Sequence, residues 1–481
     1  MQITVPVPVD PTRRLDHRQS DAAVGAMLGL AVADALGAPF EFGPEGQYRR
    51  RFPQPVMGGA GELTGGGGFG WAPGEFTDDT QMALALAESM IALGALDPAD
   101  LWGRWREWAA TANDVGSITG TALSNESYIG AAEAAHERLR RSAGNGALMR
   151  VAPVGIAFAA VEGDDVSEQC MQVAYQQAVL THHDPAAGWG AAVWAELIRR
   201  TILGADPVPE IDSVLALVPD EVRSTYEALT APEWAPGRPG SPSNGSVWGC
   251  LAEAWWAVRH HTTFHDTVVA AVDLGGDTDT VAAVAGALAG ARYGMQQIPS
   301  RWTTYVHGRV GEQRYDNMRL QHVAQRLTGR TPKPATPTDS PAGPMELLPG
   351  VWAADLGQAT RHCAGRDDLA VLSLCRTDGV FAHVPHRREV FLFDEPGDHN
   401  PSLTHVLTDA VDTVEAWRAE GQHVVVHCHG GRSRTALVVK ALAMRHHGWT
   451  EEQAHQWLLE NWPHYGLWNH TFREVLQEGW A

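Results

Sequence analysis

The sequence predicts two domains of different fold class, an all-α domain followed by an α/β domain. Ala-rich segments with a helical period fill the first part. Of these, VGAMLGLAVADALG and TVAAVAGALAGARYG are apolar around much of the helix, which predicts central, buried helices. In the last part, short apolar runs such as HVVVHC alternate with helical segments, a pattern typical of an α/β sandwich. The stretch TGRTPKPATPTDSPAGP between them has many prolines and no hydrophobic period, so it predicts a semi-rigid linker.

These changes in pattern set the predicted domain boundaries. We expect an N-terminal extension over residues 1–20, the all-α domain over 21–327, the Pro-rich linker over 328–344 and the α/β domain over 345–481. A chain of 481 residues is long enough for more than one domain, since a domain usually contains about 100 to 200 residues. We find no fixed-period repeat of the solenoid type.

The composition excludes two classes of protein. With 44% hydrophobic and 19% charged residues, each domain can bury a core, so a wholly disordered chain is excluded. The formal net charge of −21 opposes general binding to the phosphate backbone of nucleic acids, which requires clustered Lys and Arg.

Cysteine usage and hydropathy bear on the location of the protein. The cysteines are Cys170, Cys250, Cys363, Cys375 and Cys428. Their odd number and wide spacing fit neither a disulfide framework nor a Cys-rich zinc module. The N-terminus lacks the apolar core of a signal peptide, and no apolar run approaches the ~20 residues that span a bilayer. We therefore expect a cytoplasmic protein without membrane association.

Two distant segments of the all-α domain share one local design. The first, EFTDDTQMALALAESM, contains Thr77, Asp78, Asp79 and Thr80, and the second, DLGGDTDTVAAVAGALAG, contains Asp277, Thr278, Asp279 and Thr280. Either copy alone is typical of an ordinary helix N-cap. Both following helices are predicted to be buried, so four carboxylates would repel one another there unless cations neutralised them. Oxygen ligands without His or Cys indicate Mg²⁺ or Mn²⁺, and a two-ion site is the simplest explanation.

In the α/β domain, HVVVHCHGGRSRTALVVKAL predicts a buried strand, a glycine-bearing loop and a helix. Backbone N–H groups in such a loop, at the positive end of a helix dipole, bind a phosphate-like anion. The same dipoles and Arg434 would stabilise the thiolate of Cys428, which makes this residue a candidate nucleophile. A lone cysteine is more often a small buried hydrophobe. Here Gly430, Gly431 and Thr435 complete an anion-binding string around it.

The blocks of the first domain resemble the ADP-ribosylglycohydrolase family, the relatives of dinitrogenase-reductase-activating glycohydrolase. That family carries T-D-D-T on an early helix and G-G-D-T-D-T on a late one, whose side chains bind two magnesium ions. The resemblance implies that the metal ligands are Thr77, Asp78, Asp79, Asp277, Asp279 and Thr280. The segment GLAVADALGAPFEF is similar to the family's G-D-A-L-G-x-P-x-E, with Ala33 where a glycine is usual. By this match Glu41 takes part in catalysis.

Further blocks are similar to those that line the ADP-ribose cleft of the family. They are GNGALMRVAPVG, the pair Thr181–His182 and, on weaker grounds, DVGSITG. The substrate contacts that they imply are Gly116, Ser117, Gly144, Asn145, Gly146, Ala147 and His182. A Gly-Asn-Gly turn lets the backbone approach a diphosphate closely. A plain loop before a helix and a structural histidine are the alternatives that spacing alone leaves open.

The C-terminal string H-C-x-x-G-x-x-R-T resembles the signature of the cysteine-dependent phosphatases, and the domain looks most like their dual-specificity branch. The resemblance implies that Cys428 attacks phosphorus to form a thiophosphate intermediate, that Arg434 binds the equatorial oxygens and that Thr435 eases departure of the thiolate. Asp394 in FLFDEPGDHN is the expected general acid, with Asp398 in reserve. The phosphate-binding loop would consist of His429, Gly430, Gly431, Arg432, Ser433 and Arg434. A sulfurtransferase with a cysteine loop is an alternative that fits the flanking strand and helix less well.

Together the resemblances imply a multidomain hydrolase, with an N-terminal all-α ADP-ribosylglycohydrolase-like domain and a C-terminal α/β cysteine-phosphatase-like domain. The first would remove ADP-ribose from a modified acceptor with Mg²⁺, and the second would hydrolyse phosphate monoesters. The partners would be ADP-ribose or an ADP-ribosylated substrate, and a phosphorylated substrate. One alternative is a first domain that binds ADP-ribose without cleaving it. Another is that both domains act on one phosphorylated ADP-ribose derivative. The identity of the acceptor stays open.

Overall fold

The computed structural model describes residues 7–332, 343–466 and 468–480. The chain divides into two compact units. The first comprises Met1–Gln54, Glu62–Ile298 and Tyr305–Pro332, and the second comprises Pro55–Gly61, Pro299–Thr304 and Lys333–Ala481. Residues 333–342 of the predicted linker and residues 1–6 of the predicted extension lie outside the described residues.

The first unit is mainly helical. Up to residue 327 the helices are α1 (His17–Gly37), α2 (Gln47–Arg51), α3 (Asp78–Leu93), α4 (Pro98–Ala109), α5 (Ser117–Leu123), α6 (Ala131–Leu139), α7 (Ala152–Ala159), α8 (Val166–Val179), α9 (Pro185–Ile202), α10 (Pro207–Leu215), α11 (Asp220–Thr230), α12 (Val247–His260), α13 (Phe264–Val272), α14 (Thr278–Tyr293), α15 (Ser300–Thr303) and α16 (Asn317–Leu327). Of these, α15 falls in the second unit. Two short antiparallel pairs accompany the helices, β1 (Val7–Pro8) with β2 (Ala95–Leu96) and β3 (His307–Val310) with β4 (Gln313–Asp316). The all-α class predicted for this part of the chain is confirmed.

Residues 7–20 pack into the helical unit. Val7 pairs with Leu96 across the β1–β2 ladder, and Leu15 is buried. Helix α1 begins at His17, because Asp16 and Gln19 form a reciprocal capping box there. Regular structure therefore starts before residue 21, where we expected the domain to begin.

The crossing of α1 and α14 forms the centre of the helical unit. Both helices carry a small-residue stripe, with Gly25 and Gly29 on α1 facing Gly290 and Gly286 on α14. A Cβ on any of these glycines would collide with a backbone carbonyl oxygen of the facing helix. The two backbones thus pack in direct contact, and this close approach fixes the positions of the polar residues at the ends of both helices.

One helical stretch, His17–Phe40, is long and apolar enough to cross a membrane by length and composition alone. Its most apolar window has a mean hydropathy of 1.6 and is 94% buried inside the fold. This finding corrects the expectation that no apolar run approaches bilayer length. The residues of α1 serve as a core helix, since other helices cover them on all sides.

The second unit contains a five-stranded sheet in the order β5-β6-β9-β7-β8. Its strands are β5 (Met345–Leu348), β6 (Val351–Asp355), β7 (Leu369–Ser373), β8 (His386–Glu389) and β9 (His423–Cys428). All neighbouring pairs are parallel except β5 with β6. The accompanying helices are α17 (Leu356–Cys363), α18 (Leu403–Ala419), α19 (Ser433–His447), α20 (Glu451–Asn461) and α21 (His470–Gln477). The predicted α/β class is confirmed, and Cys428 ends the central strand, where parallel sheets place their sites.

Candidate active sites

A cleft of about 610 Å³ opens in the helical unit. Of the residues predicted from the sequence, it is lined by Glu41, Asp78, Gly116, Ser117, Gly144, Asn145, Gly146, His182, Asp277, Asp279 and Thr280. Thr77, Asp79 and Ala147 are fully buried or nearly so and lie outside the lining. The fold thus gathers segments that are far apart in sequence around one cavity.

The side chains at the starts of α3 and α14 do not cap their helices. Thr77 and Asp277 occupy the N-cap positions, but within residues 7–332 neither side chain accepts the capping hydrogen bond. By contrast, Asp97 and Asp184 cap α4 and α9 in the ordinary way. The simplest alternative for the two acidic blocks, a pair of plain N-caps, therefore does not describe this structure.

Carboxylates from three elements converge at one end of the cleft. Oxygen atoms of Glu41, Asp277 and Asp279 lie within 4.8 Å of one another. Below them, Asp79 Oδ2 accepts hydrogen bonds from the hydroxyls of Thr77, at 3.3 Å, and Thr280, at 3.4 Å. The T-D-D-T and G-G-D-T-D-T blocks, predicted to act together, therefore meet directly.

Burial makes this acidic cluster electrostatically unfavourable. Desolvation, followed by repulsion from Asp277, Asp114 and Asp34, raises the pKa of Glu41 to about 8. Desolvation and the neighbouring carboxylates also raise the pKa values of the residues Asp78, Asp79 and Asp279 well above the ordinary value. Such a cluster requires either bound protons or a compensating positive charge.

Asp34 on α1 supports the cluster from behind. Its carboxylate accepts hydrogen bonds from the backbone N–H of Thr77, at 2.9 Å, and from the hydroxyl of Thr80, at 2.6 Å. Burial raises the pKa of Asp34 to about 6, although these hydrogen bonds oppose the shift. Asp34 thereby holds the first turn of α3 in the position that presents Asp78 and Asp79.

The wall of the cleft is built by the Gly-Asn-Gly turn. Asn145 Nδ2 donates to Asp277 Oδ2, at 2.8 Å, and to the carbonyl oxygen of Asn244, at 3.0 Å. Gly144 and Gly146 pack so closely on the His182 ring that an added Cβ would come within 3.4 Å of it. A Cβ at either position would be tight, since it would also lie 2.8 Å from Ile118 Cδ1 at Gly144 and 3.2 Å from Thr119 Oγ1 at Gly146.

His182 is a neutral residue held by a buried arginine. Arg150 Nη2 donates to Thr181 Oγ1 at 2.9 Å, and Thr181 Oγ1 lies 2.8 Å from His182 Nδ1. Arg150 also stacks on the ring of Trp105, 3.8 Å from its centroid. Desolvation, and then the charge of Arg150, lower the pKa of His182 to about 3. A neutral imidazole has one donor and one acceptor nitrogen, and Thr181 Oγ1 is the partner of Nδ1.

In the second unit, the loop between β9 and α19 has the expected strand–loop–helix form. Cys428 is the last residue of β9 and is 1% exposed, so its thiol lies at the base of the loop. Gly431 has φ +57°, and a Cβ there would lie 2.6 Å from the backbone nitrogen of Asp355. Only glycine fits this position without strain. Gly430 and Arg432 are exposed on the loop, whereas Ser433 begins α19 and is buried.

The side chains around Cys428 are arranged by backbone and charge contacts. Arg434 Nη1 donates to the carbonyl oxygens of Leu374, at 2.9 Å, and Leu392, at 3.1 Å. Its Nε lies 3.7 Å from Asp394 Oδ2. Asp398 is exposed. The Oγ1 of Thr435 is buried and, among the described residues, has no hydrogen-bond partner.

Comparison with known proteins identifies the helical part of the chain. Residues 15–336, more than half of the protein, match the family model described as ADP-ribosylglycohydrolase. The chain belongs to the ADP-ribosylglycohydrolase family. Residues 377–477 match a second family model, the catalytic domain of dual specificity phosphatases. The protein is therefore an ADP-ribosylglycohydrolase-family chain that also carries a phosphatase-like domain.

Individual relatives agree with this assignment. The ADP-ribosyl-[dinitrogen reductase] glycohydrolase of Rhodospirillum rubrum is 31% identical over 295 residues, which are 60% of this chain and 92% of that protein. The ADP-ribosylarginine hydrolase Tri1 of Pseudomonas putida is 31% identical over 322 residues, 65% of this chain and 79% of that protein. A solved structure described as an ADP-ribosylglycohydrolase-related protein complex is 33% identical, covers 65% of this chain and 98% of that chain, and superposes with a TM-score of 0.51.

Four residues that line the cleft or support its lining were not predicted from the sequence: Asp114 lines it, and Asp34, Arg150 and Asn244 contact residues of the site. Asp34 lies inside ADALG and Asp114 begins DVGSITG, so both stand in segments that already indicated the site. Arg150 ends GNGALMR, and a buried arginine there could have suggested a structural partner for the cleft. Asn244 donates to Glu253 and receives the backbone N–H of Asp277. Only the tertiary structure indicates its role, because no sequence signal separates it from other loop asparagines.

A residue of the phosphatase-like site was also missed. His427 Nε2 lies 2.7 Å from Ser373 Oγ on the neighbouring strand β7, and its ring packs against Phe381 at 4.9 Å between centroids. Desolvation lowers the pKa of His427 to about 3, so the ring is neutral. This contact fixes the strand end that presents Cys428.

The acidic cluster of the ADP-ribosylglycohydrolase cleft fits a divalent cation. All donors are oxygens of carboxylates and hydroxyls, which hard cations such as Mg²⁺ prefer. Within the described part of the chain, Asp79 Oδ1 and Glu41 Oε2 are buried without a hydrogen-bond partner. Unsatisfied buried carboxylate oxygens are costly, and coordination of a cation would satisfy them.

Proposed function

We propose that this protein is a bifunctional hydrolase whose first domain releases ADP-ribose from a modified acceptor with Mg²⁺. The observation that carries the proposal is the convergence of Glu41, Asp277 and Asp279 at one end of a substrate-sized cleft. Burial and the neighbouring carboxylates raise the pKa of Glu41 to about 8 and that of Asp279 well above its ordinary value, which a bound cation would offset. Family membership supports a hydrolytic role.

Different residues of the cleft would bind the cation, transfer the proton and orient the substrate. The candidate cation ligands are Thr77, Asp78, Asp79, Asp277, Asp279 and Thr280. When bound, a divalent cation would neutralise these acids and polarise the hydroxyls of the distal ribose. In the reaction, the bond between ribose C1 and the acceptor breaks, a water oxygen bonds to C1, and one proton reaches the acceptor. Glu41 is placed to move that proton, while Asn145 and His182 orient the rest of ADP-ribose.

Arginine is the acceptor that we propose first. Two relatives at 31% identity are named ADP-ribosylarginine hydrolases. The cleft also carries Asp114 beside the cluster, so a cationic leaving side chain would meet favourable charge. The choice of arginine is a separate step from the proposed hydrolysis, because the shape of the surrounding loops determines which acceptor fits.

The second domain is proposed to hydrolyse phosphate monoesters. The Cys428 thiolate would attack phosphorus, forming an S–P bond as the P–O bond to the leaving group breaks. Asp394 would protonate the departing oxygen. We prefer it to the exposed Asp398 because of its position, since its carboxyl group lies 3.7 Å from the Arg434 guanidinium. Water would then form a P–O bond to phosphorus as the S–P bond breaks, and its proton would pass to the Asp394 carboxylate, which releases inorganic phosphate and the thiolate. Arg434 retains Nε and Nη2 for the phosphate oxygens, and Thr435 would assist the thiolate.

The test measures both activities on the full chain. Asp277→Ala should lower release of ADP-ribose from an ADP-ribosylated arginine peptide by at least about 100-fold and leave hydrolysis of an aryl phosphate unchanged. Cys428→Ser should lower hydrolysis of the aryl phosphate and leave release of ADP-ribose unchanged, because a hydroxyl is a far weaker nucleophile than a thiolate. Each variant thereby serves as the folding control for the other domain.

Two results would contradict the proposal. If the wild-type protein binds ADP-ribose tightly but releases none from arginine or serine peptides, the first domain is a binding module. If Cys428→Ser retains full aryl phosphatase activity, the nucleophile is another residue.

A cytoplasmic location belongs to the same proposal, and the five unpaired, buried cysteines support it.

A further inference from the structure

Phe42 has an unusual backbone and an unusual exposure for its residue type. Glu41 has φ −53° and ψ 139°, and Phe42 follows with φ +61°. Gly43 N donates to the carbonyl oxygen of Phe40 at 2.9 Å, which closes a type II turn. The third position of this turn favours glycine, yet here it holds a phenylalanine that is 72% exposed.

Two hydrogen bonds hold this turn in place. Phe42 N donates to the carbonyl oxygen of Gly276 at 2.6 Å, and Gly276 N donates to that of Gly43 at 3.0 Å. Gly276 directly precedes Asp277, so the same bonds bring the turn beside the acidic cluster. The left-handed conformation of Phe42 is therefore imposed by the fold.

Neither packing nor backbone preference explains a phenyl ring at this position. The ring contributes little to the core, because most of it faces solvent. The other two non-glycine residues with positive φ in the described chain have ordinary reasons. Arg140 ends helix α6, and Asp378 is of a type that tolerates this conformation. A strained residue kept at a functional site indicates a functional reason for it.

We propose that Phe42 is a specificity-determining residue whose ring packs against the guanidinium of the acceptor arginine. This inference rests on the proposed ADP-ribose hydrolysis. Phe42 lines the cleft next to Glu41, where the scissile bond would lie. The adenine is separated from that bond by two riboses and two phosphates, so the acceptor is the planar group within reach of the ring. An aromatic face attracts a cation, and a guanidinium also stacks on it.

A carboxylate in the same lining strengthens this assignment. Asp114 is not among the candidate cation ligands, so its charge is available to attract the guanidinium. Trp248, the other aromatic side chain in the lining, lies on α12 and is available for a different part of the substrate. Phe42 is therefore expected to affect recognition of the acceptor and not of ADP-ribose.

The experiment uses Phe42→Gly and Phe42→Ala, with Phe42→Trp as the conservative variant. Arg140→Gly is the matched control, because it relieves positive φ in the same unit without lining the cleft. We expect Phe42→Gly to raise KM for an ADP-ribosylated arginine peptide about 5- to 10-fold. Affinity for free ADP-ribose and KM for an ADP-ribosylated serine peptide should change less than about 2-fold. Phe42→Trp should retain the arginine preference, and Arg140→Gly should leave all constants unchanged.

Thermal stability separates recognition from folding. Phe42→Gly should melt at the same temperature as the wild type or higher, since glycine relieves the backbone strain, whereas Phe42→Ala keeps it. An unchanged KM ratio of arginine to serine peptide in both variants would overturn the assignment. So would a parallel loss of affinity for free ADP-ribose, which would place the ring on ADP-ribose. If the wild type releases no ADP-ribose, the proposed function fails, and that result differs from either of these.

Discussion

Aspartate side chains in this chain have different roles, which depend on their burial and on their hydrogen-bond partners. Asp16 caps α1 at its surface end, while Asp34 on the same helix is buried and accepts hydrogen bonds from the first turn of α3. Both are aspartates in a helical context, so residue type alone does not separate them. Burial raises the pKa of Asp34 to about 6, because removing water disfavours its charged form.

Asp21 is a buried carboxylate remote from the acidic cluster, and it offers a test of these electrostatics. It accepts backbone hydrogen bonds from Met295 and Gln296, yet desolvation dominates and raises its pKa to about 7. Its Oδ1 lacks a hydrogen-bond partner among the residues that the structure describes. The folded protein therefore retains a proton on Asp21 that the unfolded chain releases near pH 4.

We predict that Asp21→Asn flattens the pH dependence of stability. A raised native pKa contributes stability that is complete below the unfolded value of 3.8 and is lost as pH rises through about 7. At pH 8 the amide should be more stable than the carboxylate by as much as a few kcal/mol, roughly 1.4 for each pKa unit. Thermal melts at pH 5 and pH 8 measure this. Asp16→Asn is the control on the same helix. An equal pH slope in Asp21→Asn and the wild type would show that Asp21 is not the source.

At the scale of elements, the α1–α14 crossing positions the site. Helix α1 carries Asp34, and α14 begins beside Asp277, so the distance between the helices sets the distance between these carboxylates. The glycine stripe lets the backbones touch, as a Cβ on Gly290 would collide with the carbonyl oxygen of Gly25. Small residues at this interface are therefore a requirement of the site as well as of the core.

We predict that Gly290→Ala destabilises the protein by about 1 to 3 kcal/mol, because neither backbone can yield without moving a whole helix. Release of ADP-ribose should fall with it, as the carboxylates separate. Gly103→Ala on α4 is the matched control, since a Cβ there meets nothing within 4 Å. It should be neutral or slightly stabilising, by up to about 1 kcal/mol. Urea unfolding and ADP-ribose release measure both effects, and equal stability of the two variants would contradict the role of the crossing.

At the scale of the whole molecule, the two candidate sites rely on different chemistry. The cleft gathers carboxylate and hydroxyl oxygens, whereas the loop after β9 combines the thiol group of Cys428 with the guanidinium of Arg434. The net charge of −21 disfavours long polyanions. Small phosphates would still be attracted by Arg434 in the second unit, and in the cleft by the cation that we propose for the acidic cluster.

We predict that removal of divalent cations separates the two activities. Treatment of the full chain with a chelator should reduce ADP-ribose release by at least about 100-fold, and added Mg²⁺ should restore it. Aryl phosphatase activity should remain within about 2-fold, because no step of that reaction uses the acidic cluster. Parallel assays on one preparation measure this difference. Loss of both activities on chelation would mean that the cation supports the fold of the entire chain.

The fold class and much of each site were predictable from sequence, because they depend on local strings. Alternation of short apolar runs and helical segments predicts the α/β part. The stretch from Cys428 to Thr435 contains the strand end, the glycine-bearing loop and the helix start that its local sequence predicts. The boundary at residue 21 was less predictable. Helix α1 starts earlier, at the capping box of Asp16 and Gln19. The sequence contains many aspartates, so Asp16 does not stand out as a helix start.

The sequence by itself determined which chemical groups are available to this protein: oxygen donors at two buried helix starts and a thiol before a glycine-bearing loop. Tertiary structure alone decided which groups meet. Asp79 and Thr280 are 201 residues apart and become neighbours only because two glycine-striped helices cross. Asp34, Asn244 and the strained Phe42 likewise acquire their places through long-range packing. The sequence specifies residue types and the local hydrophobic periodicity. The distances between remote segments are set only when the core packs.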